Sequence, residues 1–242
     1  MALQLELIGW LDGGTALTVV LAALILGLIS IYKGIKLKAK LLTITGLCII
    51  CVGFVLLGPA VDFLVILITT YNLQPNWLYG LLSYAWTGPL TLFGLYIGGE
   101  LMIPKRKWII LVIYGILVVL FEFLIFFYSF TDPEVIFIYP EIPPNGTGLL
   151  NTSIQPRSLV FILMITFLVS GLIFNGFGFL RKAIQSTGEL RRKFFYLSIG
   201  WILFIICGAL DALMDPGIAT FFIRIGMICS IIFMYLGVRI KK

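Results

Sequence analysis

Apolar residues run along this chain in long stretches separated by short polar ones. A helix that crosses a bilayer needs about 20 mostly apolar residues. Stretches of that length predict seven crossing helices, at 14–32, 41–62, 79–103, 108–130, 158–180, 194–214 and 218–238. The second stretch stays apolar as far as Thr70, which is too long for one straight crossing. Gly58-Pro59 is the expected kink, because proline removes a backbone hydrogen bond and clashes with the turn before it. Trp10, Trp77, Tyr79, Trp108, Tyr128 and Tyr139 fall near the predicted ends of these stretches, where aromatic belts sit.

The polar connections alternate in charge. Lys33, Lys36, Lys38 and Lys40 follow the first stretch, and Lys105, Arg106 and Lys107 follow the third. Arg181, Lys182, Arg191, Arg192 and Lys193 follow the fifth, and Arg239, Lys241 and Lys242 close the chain. The remaining loops hold only Arg157 against Glu6, Asp12, Asp132, Glu134, Glu141 and Asp215. Basic loops stay on the cytoplasmic side, so the expected orientation is N-terminus out and C-terminus in. The net charge of +6 is spread over these clusters. It therefore acts as a topology signal, and no nucleic-acid partner is expected. With 61% apolar residues, the expected solvent is lipid. The expected fold class is an all-α integral membrane bundle, one domain over 1–242, multi-pass in the plasma membrane.

Several chemistries drop out. The chain has no histidine, which removes the usual proton shuttle and every Ser-His or Cys-His pair. Cys48, Cys51, Cys207 and Cys229 all lie inside apolar stretches, where thiols pack as small hydrophobes. No metal, cofactor, outer disulfide or enzymatic activity is expected. The first thirteen residues carry Glu6 and Asp12 in place of a basic leader, so no cleavable signal peptide is expected. The loop 131–157 is the longest on the outer side. It carries Asn145-Gly146-Thr147 and Asn151-Thr152-Ser153, both fitting the N-glycosylation pattern.

Charges inside the stretches cost on the order of 3 kcal/mol each by insertion scales, so each needs a reason. At 1.5 Å per residue, Asp211 lies ~5 Å, Arg224 ~10 Å and Glu122 ~12 Å from the outer ends of their helices. Asp62 follows the Gly58-Pro59 kink. These four define the candidate site. In one reading Arg224 pairs with Glu122 or Asp211 as structural glue, and Asp62 is hydrated. In the other, Arg224 and Glu122 floor an outward-facing polar pocket beneath the long loop, and an acid left without a partner is protonated or holds a cation. Glu100 is expected to pair at the inner surface with Lys105 or Arg106. Asn175 is expected to hydrogen-bond between helices.

Two seven-span families are excluded by particular residues. The last stretch has no lysine for a retinal Schiff base, and 98–101 reads Gly-Gly-Glu-Leu where G-protein-coupled receptors carry an acid-Arg-aromatic triplet. The basic loop leading into Leu197-Ser198-Ile199-Gly200, then Gly208-Ala209-Leu210-Asp211, Pro216 and a last stretch ending Tyr235-Leu236-Gly237 covers about a quarter of the chain. This part resembles the seven-span sensor regions at the N-terminus of prokaryotic histidine kinases. The resemblance implies a stand-alone sensor module whose output comes from a partner protein at the basic face. A small-solute or ion carrier using the same acids is the second expectation, and a subunit of a larger membrane complex the third. An oligomer is compatible with each.

Overall fold

The computed structural model describes residues 5–139 and 146–239, and 80% of it is helical. Among the described residues ten α-helices follow in order: α1 (Leu7–Lys36), α2 (Lys40–Phe54), α3 (Leu57–Thr69), α4 (Trp77–Tyr84), α5 (Thr87–Met102), α6 (Lys107–Thr131), α7 (Leu159–Gly171), α8 (Gly178–Gln185), α9 (Gly188–Leu213) and α10 (Ile218–Val238). A π-helical turn, Leu172–Phe177, joins α7 to α8, so Leu159–Gln185 is one 27-residue helix. The long loop adds one element outside the all-α expectation. Strands β1 (Phe137–Ile138) and β2 (Ser153–Ile154) pair antiparallel, with Phe137 opposite Ile154.

Among the described residues five helices are long and apolar enough to cross a membrane, and the bent pair α2–α3 makes six if it counts as one crossing. The third expected stretch is broken: α4 and α5 are separate helices of 8 and 16 residues. The two breaks share a cause. Each lies just before a Gly-Pro pair, and Pro59 and Pro89 each fall on the third residue of the helix that follows. A first-turn N–H has no partner inside the helix, so proline is tolerated there and the preceding turn is interrupted. The α2–α3 bend is 56° and sits at Val55-Leu56, just ahead of the expected Gly58-Pro59. Glycine lets a neighbour approach closely beside each proline. A Cβ on Gly58 would lie 2.4 Å from the Tyr79 carbonyl oxygen, and one on Gly88 would lie 2.2 Å from the Glu122 carboxylate.

The main core joins α1, α2, α9 and α10 with parts of α5 and α8, and Ala16, Val19, Ile49, Phe179 and Ile231 are fully buried in it. A second cluster links α4, α6, α7 and the β1–β2 ribbon around Phe121, Ile125 and Phe137. α6 is the most exposed crossing helix. Trp108, Ile109, Val112, Ile116, Val119, Phe123 and Phe130 are all exposed along it. A contiguous apolar surface of this extent is stable in lipid and not in water. The chain is a multi-pass membrane protein. The basic clusters gather at one end, where Lys33 Nζ donates to Tyr235 Oη at 3.0 Å. The loop that holds β2 covers the opposite end, where the Glu6 N–H donates to the Thr147 carbonyl at 3.0 Å.

α1 begins seven residues earlier than the expected 14–32, which draws Asp12 into the helix and buries it to 4% exposure. That single displacement shapes the site.

Candidate functional site

Three helices contribute one charged side chain each at the end away from the basic clusters. Arg224 projects from the second turn of α10 and is 4% exposed. Its Nε donates to Asp211 Oδ1 of α9 at 3.1 Å. Its Nη1 lies 2.5 Å from Asp12 Oδ1 of α1 and donates its hydrogen bond to the Asp12 backbone oxygen. The close approach to Oδ1 is an ion-pair contact, since that oxygen accepts no hydrogen bond. One guanidinium thus ties α10 to both α1 and α9. Asp12 is the floor, and the Asp211 side chain, 15% exposed, is nearer the surface.

A cavity of about 70 Å³ adjoins the triad, lined also by Tyr79, Ser83, Tyr84 and Thr152. It has room for about two waters at ~30 Å³ each. Ser83 Oγ and Thr152 Oγ1 are buried beside it without a hydrogen-bond partner. Tyr84 Oη donates to the Thr152 carbonyl at 3.1 Å, so α4 and the long loop meet over the cavity. Asn151 is half-buried and lines it as well. Asn145, the other expected glycosylation acceptor, lies outside the described residues, as do Glu141, Lys241 and Lys242.

The other two candidate acids are elsewhere. Asp62 is fully buried and bonds neutral donors. Its oxygens accept from the Leu73 N–H at 2.6 Å, the Leu150 N–H at 2.8 Å and Asn72 Nδ2 at 3.3 Å. Asn72 Nδ2 also donates to the Gly148 carbonyl at 2.8 Å, and Asn72 Oδ1 accepts from the Gly146 N–H at 3.1 Å. Asp62 is therefore a latch that pins two loops, and the hydration expected for it is replaced by backbone N–H groups. Glu122 does not reach Arg224. It faces the Gly88 N–H at the start of α5, and its Oε1 is buried without completing a hydrogen bond. Which helix Glu122 faces is set by packing, and the sequence does not record it.

Glu100 pairs with Lys107, one residue beyond the expected Lys105 and Arg106. Lys107 sits on the first turn of α6, which folds back over α5, and its Nζ lies 4.7 Å from the centre of the Tyr96 ring. Asn175 is buried in the π-helical turn against Gly94 and Gly98 of α5. The same turn frees the Gly176 carbonyl, which accepts from Ser198 Oγ of α9 at 2.8 Å. A π-turn leaves carbonyls unpaired along the helix, and Ser198 fills one.

Asp12 is the residue that sequence reasoning missed. The expected first stretch, 14–32, leaves it in the N-terminal segment. The available signal was the composition of 7–32, which is uncharged except for this one acid. Tyr84, Ser83 and Thr152 had no signal, since only the fold brings them to the triad. Among the described residues no group of three or more Cys, Asp or Glu converges to hold a metal ion. Comparison with family models, curated proteins and solved structures gives no match for this chain.

Proposed function

We propose that this protein is a seven-span sensor module with its N-terminus outside, whose signal is a single positive charge taken up beside Asp12, Arg224 and Asp211. Five long helices, the bent pair α2–α3 and the broken pair α4–α5 make seven crossings under this reading. The basic clusters then face the cytoplasm by the positive-inside rule. The observation that carries the reading is charge balance. Two carboxylates share one guanidinium next to a small polar cavity. A buried site left one charge short is expensive in a low-dielectric setting. A proton or a small monovalent cation arriving from the outer side completes it.

The mechanism follows from what Arg224 joins. With the extra charge absent, the guanidinium divides between Asp12 and Asp211. With it present, one carboxylate is released from Arg224 and the contact between α10 and either α1 or α9 loosens. α9 and α10 continue to the basic end, where a partner protein reads their displacement. This agrees with what the resemblance to histidine-kinase sensor regions implies.

The test is a distance measurement between spin labels at Lys38→Cys and Arg191→Cys in a background without the native cysteines, in lipid nanodiscs. One series varies outer pH at fixed salt, and the other varies sodium or potassium at fixed pH. A distance change is expected in one series, which also names the ion, and it is lost in Asp211→Asn. A change that persists unaltered in Asp211→Asn sinks the reading. Flux of the same ion in proteoliposomes, abolished by Asp211→Asn, replaces the sensor with a carrier.

A further inference from the structure

A second cavity of about 360 Å³ lies beside the charged one and has no part in the reading above. It is bounded by Tyr84, Phe161, Met164, Leu168, Ala209 and Leu213, from α4, α7 and α9, with the β2 segment at one edge. Its wall is mostly apolar, and its size falls in the roughly 300–1,000 Å³ range of small-molecule sites. Tyr84 and Ala212 line both cavities. Tyr84 stands at the border of both, held by its hydroxyl on the Thr152 carbonyl at 3.1 Å. Ile165 of α7 and Leu213 of α9 also line the larger cavity and are 42% and 78% exposed. Exposed apolar side chains at its rim suit an opening to lipid between α7 and α9.

A ligand that matches both spaces has one positive end and one apolar body. We infer that the two cavities form a single site for an amphiphilic monocation of the alkylammonium type, which enters from the membrane between α7 and α9. The apolar body fills the larger cavity. The ammonium group passes the Tyr84 edge and donates to the carboxylates of Asp211 and Asp12, supplying the charge that Arg224 alone does not. The bilayer is its reservoir, because an alkylammonium ion partitions with its charge at the interface and its chain in the hydrocarbon. This inference rests on the triad being short of one positive charge, and it names the chemistry that would meet that need.

The test is equilibrium binding of radiolabelled decylammonium to the full chain in phosphatidylcholine nanodiscs, against empty discs. The competitors are 1-decanol and decanoate. Saturable binding of one amine per protein is expected, with little competition from either. Asp211→Asn is expected to weaken binding tenfold or more. Ala209→Phe fills the apolar cavity, leaves every charge in place and is expected to weaken it equally, so it decides the matter should Asp211→Asn misfold. Competition by 1-decanol as strong as by the unlabelled amine overturns the inference, since the cavity then takes any chain. Absence of saturable binding, or full binding by folded Ala209→Phe, also overturns it. The amine-free distance change at Lys38 and Arg191 separates the two levels. If that change survives while decylammonium fails to bind, the charged pocket stands and only the amphiphile falls.

Discussion

Two buried aspartates lie at the same end of the bundle and are satisfied in opposite ways. Asp62 meets three neutral N–H donors from two loops. Asp12 meets one guanidinium that it shares with Asp211. Neutral dipoles spread around a carboxylate satisfy it without another charge, and they hold the chain that carries them. A shared guanidinium leaves the pair one positive charge short and leaves polar atoms facing a cavity. A closed hydrogen-bond set builds structure, and under the proposed reading the incomplete charge set takes up one more cation. Burial alone does not separate the two, since both aspartates are hidden.

The contrast can be broken most directly at Arg224. Replacing Arg224 with Leu leaves two buried carboxylates without a counter-charge and is expected to destabilise the fold by about 3–5 kcal/mol. Thermal unfolding in detergent reads this. A loss under about 1 kcal/mol would mean that Asp12 and Asp211 find other partners. Next comes Asp62→Ala, which strands the Leu73 and Leu150 N–H groups at an expected cost of about 3 kcal/mol. Hydrogen exchange should quicken over 146–152 and stay unchanged over 218–224. Faster exchange at both would make latch and triad one unit.

Asp211→Asn sharpens the comparison from the other side. It leaves one carboxylate for one guanidinium, so the stability change is expected within about 1 kcal/mol while the distance response at the basic end disappears. A response lost together with several kcal/mol of stability would make the triad a structural device like Asp62. The smallest effect is expected at Glu122, which touches neither set. Glu122→Gln should shift stability by under about 0.5 kcal/mol and leave both the response and decylammonium binding intact. Weakened binding in that variant would extend the site towards α6.

The crossing stretches at 108–130, 194–214 and 218–238 come within about a residue of the observed α6, α10 and the end of α9, because a charge cluster or a Pro-Gly turn bounds each of them. The bend in the second stretch was legible for the same local reason: proline acts on its own turn. The division of the third was not, although Pro89 lay in view. What packs beside the glycine of each Gly-Pro pair is set by the tertiary structure. For Gly58 that is the Tyr79 carbonyl, and for Gly88 it is Glu122.

The site divides along the same line. Sequence alone determined that the chain lives in lipid, where its basic clusters lie, and that Arg224 and Asp211 need partners near one end. These follow from the cost of charge in hydrocarbon, which acts residue by residue along the chain. Only the tertiary structure decided that the second partner is Asp12, that Asp62 serves the loops, that Glu122 stands apart, and that Tyr84 borders two cavities. Those outcomes depend on which helices are neighbours and how each is rotated. Neighbour choice is made by packing over the whole bundle, and no local pattern of residues records it.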